Sequence, residues 1–416
     1  MAEISLFKTL FFRKSCRRNT PAAATCPPPA ENNSNLRNIK KIFIICGEYS
    51  GDLLAGNLAG EIITIKPGIK ISGVGGTCLA KNAEEIFCNI KELSVMGFFD
   101  VLKKLPKFFK LKKLILKKIE QDKPDAIILV DFSGFNLRLA KAINNHLPCI
   151  YYVSPQVWAS REGRINAIRK FISKVFVLFK FEEKFYQERN IQVSCVGHPL
   201  IDLVKPYPEK QTLLNRFNIS GSKKIITLLP GSRKQEVRLI LPVMLQTAQL
   251  INKAIPQTQF IIAKSPNLDK QIYLDECAKF NLELNIIDGQ SHDCMNIAEA
   301  SLVCSGTATL EAAIIGNPFV IVYKTNLFNY LLYRPQIKIP YIGMVNIVAE
   351  KEIVPEFIQF KAQPKIIAKA IIRLLQSPEQ TNRMRQDLKA VKVSLGAGGA
   401  AQRAAKQILC FLQNKN

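Results

Sequence analysis

A chain of 416 residues is longer than one ordinary hydrophobic core organises, and it predicts two domains of similar size. Its eleven cysteines, spread singly from Cys16 to Cys410 with no C-x-x-C pair, exclude a disulfide framework and a zinc site and fit a reducing compartment. No apolar run of about eighteen residues escapes charge or turn residues, which excludes a membrane-spanning helix, while 58 Lys+Arg against 33 Asp+Glu, a net charge of +25, predict an acidic partner: nucleic acid, anionic lipid or a phosphorylated small molecule.

In chain order, residues 1–38 come first, where basic FKTLFFRKSCRR precedes TPAAATCPPPAENNSN. The stretch has little to bury, so it reads as a disordered or loosely membrane-touching extension, with an organelle transit peptide as the other reading. Then KKIFIICGEYSGDLLAGNLAGEI gives a buried strand over Ile42 to Cys46, a break at Gly47 and helical spacing from about Asp52. Strand-like runs follow at GIKISGVGG (68–76), PDAIILVDFSGFN (124–136), LPCIYYVSPQVWA (147–159) and SKVFVLF (173–179), separated by lysine-rich helical stretches. GHPLIDLVKPYPEKQ, with three prolines, reads as a connector. The pattern restarts with KKIITLLPG, TQFIIAKS, LELNIIDG, ASLVCSG and PFVIVYK, again alternating with helical segments. Such alternation predicts an α/β chain of two tandem Rossmann-like, doubly wound domains, about 39–205 and 206–385, whose strand ends face a shared cleft.

The chemistry sits in the turns at those strand ends. In LLPGSRKQE (228–236), Gly231 lets the backbone approach a ligand, and Ser232 and Arg233 stand at a helix start that favours an anion. Arg233 either forks two hydrogen bonds onto a diphosphate or pairs with Glu236 on its own helix. In CSGTATLEAAIIGNP (304–318), Ser305, Gly306 and Thr307 precede a helix carrying Glu311, a carboxylate placed to grip ribose hydroxyls; the competing reading makes them helix caps and a solvated charge. Together the two turns describe a nucleotide-diphosphate pocket.

The first domain offers acid–base groups. Asp131 ends an otherwise apolar strand, where a carboxylate works as a base with a raised pKa, is paired, or caps the next helix. Glu48 and Asp52 flank the first glycine turn, GEYSGD, and are expected to face the same cleft, with Ser50 as a cap and Gly51 beside it. His198, in GHPL, reads as structural. No D-x-D triplet occurs, so a diphosphate held by arginine and helix ends, with no metal and no cofactor, is expected. Residues 94–121, SVMGFFDVLKKLPKFFKLKKLILKKIEQ, carry eight lysines and no acid between Lys103 and Lys118, interleaved with Phe108, Phe109 and aliphatics. That composition fits an anionic membrane surface or a solvated helix on the sheet, with VMGFF placed to line an acyl pocket, and no nucleic-acid motif accompanies it.

In this order, GEYSGD, SVMGFFDVL, PDAIILVDFSGFN, YYVSPQVWA, VGHPLID, LLPGSRKQEV, SGTATLEAA and MVNIVAEKEIVPEFIQ resemble the lipid-A-disaccharide synthases, bacterial glycosyltransferases of lipopolysaccharide assembly, over roughly residues 40–410. The resemblance implies a GT-B fold with a C-terminal segment, 386–416, returning to the first domain through GGAAQRAAKQILCFLQ. It implies transfer from UDP-2,3-diacylglucosamine to 2,3-diacylglucosamine 1-phosphate (lipid X), giving UDP and a β-1,6-linked disaccharide at the cytoplasmic face of the bacterial inner membrane, an anionic surface. It further implies Asp131 as general base, Arg233 on the diphosphate, and Gly306, Thr307 and Glu311 at the uridine and ribose. Glu48, Ser50 and Asp52 correspond to the first-turn motif, Asn136 to the acceptor side, Asn346 and Glu352 to a donor-side loop, and Val95, Met96 and Phe98 to acyl contacts. The chain departs from the family pattern after Asp131: Pro-Asp-Phe-Asn is replaced by Ser133-Gly134-Phe135-Asn136, which removes a second carboxylate. An α-linked donor and a β-linked product imply a single inverting displacement. The rivals are another UDP-N-acetylhexosamine enzyme, such as an epimerase, and a membrane- or nucleic-acid-binding module without activity.

Overall fold

A computed structural model describes residues 38–90, 98–204, 209–337 and 339–414. Apart from Asn38, the N-terminal extension lies outside the described residues, as do Val95 and Met96.

The first half forms a seven-stranded sheet from β1 (Lys41–Ile45), β2 (Lys70–Gly75), β3 (Glu85–Asn89), β4 (Ala126–Val130), β5 (Cys149–Tyr152), β6 (Lys174–Val177) and β7 (Val193–Cys195), in the order β3-β2-β1-β4-β5-β6-β7. The second half forms a six-stranded sheet from β8 (Lys224–Leu229), β9 (Thr258–Lys264), β10 (Leu284–Asp288), β11 (Ala300–Cys304), β12 (Phe319–Tyr323) and β13 (Glu356–Ile358), in the order β10-β9-β8-β11-β12-β13. Every neighbouring pair is parallel. β4, β9 and β11 are buried along their whole length, because helices cover both faces; hence their unbroken apolar runs. The edge strands β3, β7, β10 and β13 are only partly buried and carry polar residues.

In each sheet the winding direction reverses at one place, between β1 and β4 and between β8 and β11. These are the switch points, where the chain leaves adjacent strands in opposite directions and opens a crevice at their carboxyl ends.

The helix Phe98–Asp122 carries the lysine-rich segment and includes Pro106. It buries Leu111, Ile115 and Ile119 against the first sheet. Phe108 also turns inward, with ring centroids 6.0 Å from Phe132 and 6.2 Å from Phe135, so the membrane contact expected of it is corrected to a core role. Phe109 is 56% exposed, under the Lys112 ammonium. Among the described residues no helix is long and apolar enough to cross a membrane.

The helix Pro378–Ser394 packs on the second half through Met384, Leu388 and Val391. The boundary expected at 385/386 therefore falls inside a helix, and the return to the first half begins at Leu395. Its carbonyl accepts from the His198 N–H at 3.0 Å. The Asp202 carboxylate then accepts from the Gly399 N–H at 2.8 Å, and Arg403 donates to the Val196 carbonyl at 2.7 Å. The final helix, Ala400–Gln413, lays an alanine-rich face on the helix Tyr49–Ile65.

Candidate active site

The two switch points face each other across a cleft of about 1040 Å³. From the first half it is lined by Gly47, Glu48, Ser50 and Gly51 after β1, by Asp131 and Ser133 after β4, and by Gln156, Ser160 and Arg164. From the second half come Gly231, Ser232 and Arg233 after β8, and Ser305, Gly306, Thr307 and Glu311 after β11.

Asp131 and Phe132 both sit in the left-handed region, at φ of 48° and 45°. Two such non-glycine residues in succession cost on the order of 1–3 kcal/mol each and need support. The Asp131 carbonyl accepts from the Tyr151 hydroxyl at 2.5 Å and the Asn136 amide at 2.8 Å. The Phe132 ring lies over Gly47, where a Cβ would stand 2.2 Å from its Cγ. The absence of a side chain at 47 is thus what lets Phe132 lie there and Asp131 point into the cleft. Burial, followed by the neighbouring Glu48 charge, pushes the Asp131 carboxyl up to about 6; the Phe132 N–H and Arg233 act in the opposite sense. A carboxylate at the floor of a cleft with that proton affinity is a competent general base near neutral pH.

Arg233 projects from the N-cap of the helix Lys234–Ala254 and ion-pairs with Glu48 across the cleft, while its Nη1 donates to Glu236 Oε1 at 3.0 Å. Burial alone would lower its pKa, but the two carboxylates outweigh that and raise it, so the guanidinium is a fixed cation. The pairing with Glu236 expected of this arginine is present, and the side chain also lines the cleft. The other Glu236 oxygen accepts from the Ser232 and Arg233 amides at 3.2 and 3.3 Å. Gly231 makes the turn with φ of +115°, and a Cβ there would stand 2.6 Å from Glu236 Oε2. The result is a rigid turn aimed at the strand ends, suited to an anion.

Beyond β11, Gly306 has φ of +149° and open space where a side chain would stand. Thr307 precedes the helix Ala308–Ile315, and Ser305 Oγ donates to the Ile342 carbonyl at 3.0 Å. Glu311 lies 3.3 Å from His292 Nε2. A carboxylate therefore stands beside an open glycine turn at the end of β11.

A protein-family model described as Lipid-A-disaccharide synthetase matches residues 42–410. The chain belongs to the lipid-A-disaccharide synthetase family. It is 37% identical over 381 residues to a lipid-A-disaccharide synthase of Syntrophus aciditrophicus, covering 91% of this chain and all of that one. A lipid-A-disaccharide synthase of Coxiella burnetii is 36% identical over 371 residues, 89% of this chain and 98% of its own. Family membership places the chain's activity in lipid A biosynthesis, as lipid-A-disaccharide synthesis. Among solved structures, UDP-GlcNAc 2-epimerase from Neisseria meningitidis bound to UDP-GlcNAc superposes with a TM-score of 0.61 at 15% identity, covering 89% of this chain and 98% of that one. A UDP-N-acetylglucosamine 2-epimerase described as such from Listeria monocytogenes gives 0.58 at 13% identity, with 91% and 98% covered. These structures share the two-domain GT-B fold.

Several residues of the family's motifs lie behind the cleft rather than on it. Asp52 was expected to face it, yet the carboxylate is fully buried and accepts from the amides of Gly76, Cys78 and Leu79 at 2.6, 2.8 and 3.1 Å. It caps the helix Thr77–Ala80 and ties the helix after β1 to the turn after β2. Asn136 is fully buried too, and holds the Asp131 carbonyl instead of a ligand. Asn346 spends its amide on Val354 and Glu356 and accepts from the Ile353 and Val354 amides, so it braces the loop that leads into β13 from within. Glu352 is exposed and does not line the cleft. Phe98 opens its helix.

His198 lines the cleft, but its Nδ1 accepts from the Leu200 amide at 3.2 Å and burial pushes its pKa down to about 3, leaving a neutral structural ring. Sequence reasoning missed three residues. Glu182 is a buried carboxylate pushed up to about 7 by burial and held by Trp158 Nε1 at 3.0 Å; its position in a helix first turn after β6 was the available signal. His292 carries no motif. Arg164 lies outside the glycine turns at the strand ends.

Proposed function

We propose that this cleft joins UDP-2,3-diacylglucosamine to 2,3-diacylglucosamine 1-phosphate, lipid X, releasing UDP and forming the β-1,6-linked disaccharide 1-phosphate. What supports the reading is the convergence of Asp131 and Arg233, from opposite halves, on one cleft. Asp131 removes the proton from the acceptor's 6-hydroxyl as that oxygen attacks the anomeric carbon. The carbon–oxygen bond to UDP breaks on the opposite side, so configuration inverts and no enzyme nucleophile takes part. Arg233 and the Ser232 end of its helix stabilise the charge growing on the departing diphosphate. Glu311, next to Gly306 and Thr307, takes the ribose hydroxyls. Glu48 yields its place on Arg233 to the diphosphate. The exposed basic face of the helix Phe98–Asp122, including Phe109, rests on the anionic cytoplasmic surface of the inner membrane, from which both acylated substrates are drawn.

The experiment is incubation of the purified chain with both acylated glucosamines in detergent or lipid, scoring disaccharide and UDP by mass spectrometry. Equimolar disaccharide and UDP support the reading. Epimerisation of soluble UDP-N-acetylglucosamine without any disaccharide overturns it.

A further inference from the structure

Arg164 ends the short 3-10 turn Glu162–Arg164 and lines the cleft on the Asp131 side, partly buried. Its Nη1 donates to Ser133 Oγ at 2.7 Å. Other partly buried guanidiniums are well partnered: Arg233 has Glu48 and Glu236, Arg189 has Glu162, and Arg403 donates to the Val196, Ala397 and Gly398 carbonyls. Among the described residues no carboxylate lies within ion-pair distance of Arg164, while Arg161 and Arg138 add charge of the same sign nearby. A guanidinium does not shed its proton, so it stands as a partly dehydrated cation with most of its five N–H donors free for the cleft. Such a group favours an anion, and its planar fork matches a phosphate.

The neighbour at 134 explains why the cation is left open. A Cβ built on Gly134 would lie 3.8 Å from Arg164 Nη2, so an aspartate there would reach the guanidinium with its carboxylate. This chain has no side chain at that point. Ser133, two positions beyond Asp131, puts Arg164 on the same side of the cleft as the base, in the half opposite Arg233.

We propose that Arg164 and Ser133 form a phosphate subsite for the acceptor, so that the two substrates' phosphates are divided between two arginines, the donor's diphosphate on Arg233 and the acceptor's phosphomonoester on Arg164. This rests on the acceptor reading above and deepens it. The anion fixes one end of the acceptor sugar, which sets the reach of its 6-hydroxyl toward Asp131.

The test compares diacylglucosamine 1-phosphate with diacylglucosamine lacking the phosphate, in the wild type, Arg164→Ala, Arg164→Lys and Gly134→Asp. The wild type is expected to prefer the phosphorylated acceptor in kcat/KM by roughly 10- to 150-fold, the range of a charge-assisted hydrogen-bonded contact. Arg164→Ala erases that preference and leaves the KM for the UDP-sugar within about twofold. Gly134→Asp, which supplies an internal carboxylate, lowers the preference with Arg164 intact, and Arg164→Lys restores part of it. Equal losses on both acceptors, or a raised KM for the UDP-sugar, overturn the subsite while leaving the glycosyl-transfer reading in place. No disaccharide from the wild type with either acceptor overturns both.

Discussion

Arg233 and Glu48, 185 positions apart in sequence, form an ion pair that spans the cleft from the end of β8 to the end of β1. The pair joins the two glycine turns at the switch points and places a carboxylate where the diphosphate is proposed to sit. It also couples to Asp131, whose proton affinity Glu48 raises and Arg233 lowers.

Replacing Arg233 by alanine is expected to lower kcat by roughly 10²–10³-fold, the loss seen when one donor to a developing anion is removed. Lysine should recover little, since it lacks the fork that meets Glu236 and a phosphate together. Steady-state rates with calorimetry of UDP binding separate the rate effect from the affinity effect. Unchanged kcat with alanine at 233 removes this arginine from the leaving-group role.

For Asp131→Asn, turnover should fall roughly 10²–10⁴-fold while the fold survives. Its stability should rise. The native carboxyl is raised to about 6 from an ordinary 3.8, so the native state binds the proton more tightly than the unfolded chain, and stability is lost as pH climbs between those values. Above pH 6 the full penalty applies, and asparagine relieves up to about 3 kcal/mol of it. Urea unfolding of both proteins at pH 5 and pH 8 checks this: the variant's advantage must grow with pH.

The same carboxylate sets the acid limb of the pH–rate profile. As a base, Asp131 works when deprotonated, so kcat/KM should rise through pH 6. Glu48→Gln removes a negative neighbour that raises this pKa, so the limb should move to lower pH. A limb that stays in place, or moves upward, contradicts the coupling.

Gly47→Ala should be more damaging than its size implies. The new methyl meets the Phe132 ring, and relief requires the left-handed Asp131–Phe132 pair to unwind. The expected result is a kcat loss of roughly 10²-fold or more, in keeping with a misplaced base. A crystal structure of the variant with Asp131 unmoved, or wild-type turnover, would count against it.

Asp52→Ala tests a residue whose role changed between sequence and structure. Removing its carboxylate strands the buried amides of Gly76 and Leu79 and the neighbouring Cys78 amide. Stability should drop by roughly 2–4 kcal/mol. Protein that remains folded at low temperature should keep a normal KM for the UDP-sugar.

The alternation of strand and helix was readable in the sequence because β4, β9 and β11 are buried on both faces and so must be continuously apolar. β3, β7 and β13 escaped notice because each is a short edge strand, buried on fewer sides and broken by Glu85, Ser194 or Glu356, whereas the edge strand β10 keeps the apolar pair Ile286–Ile287 and was legible. The glycine turns were legible because switch-point chemistry follows strand ends. Which acid in GEYSGD faces the cleft was not, since Glu48 and Asp52 differ only in their place on the helix start, and the amides that capture Asp52 come from a turn more than twenty residues away. Phe108 and Phe109 are adjacent, and only the packing of Phe132 decides which of them turns inward. Arg164 gave no signal because its meaning depends on the missing side chain at 134.

The return of the chain at Leu395 has a mechanical consequence. The polypeptide comes back to the first half between Leu395 and Ala400, and that return is pinned by Asp202 and Arg403. A return strap fastened by hydrogen bonds to the first half resists the drawing apart of the two halves. The strand ends that carry Asp131 and Arg233 are thereby tethered twice, by the return strap and by the Arg233–Glu48 pair across the cleft.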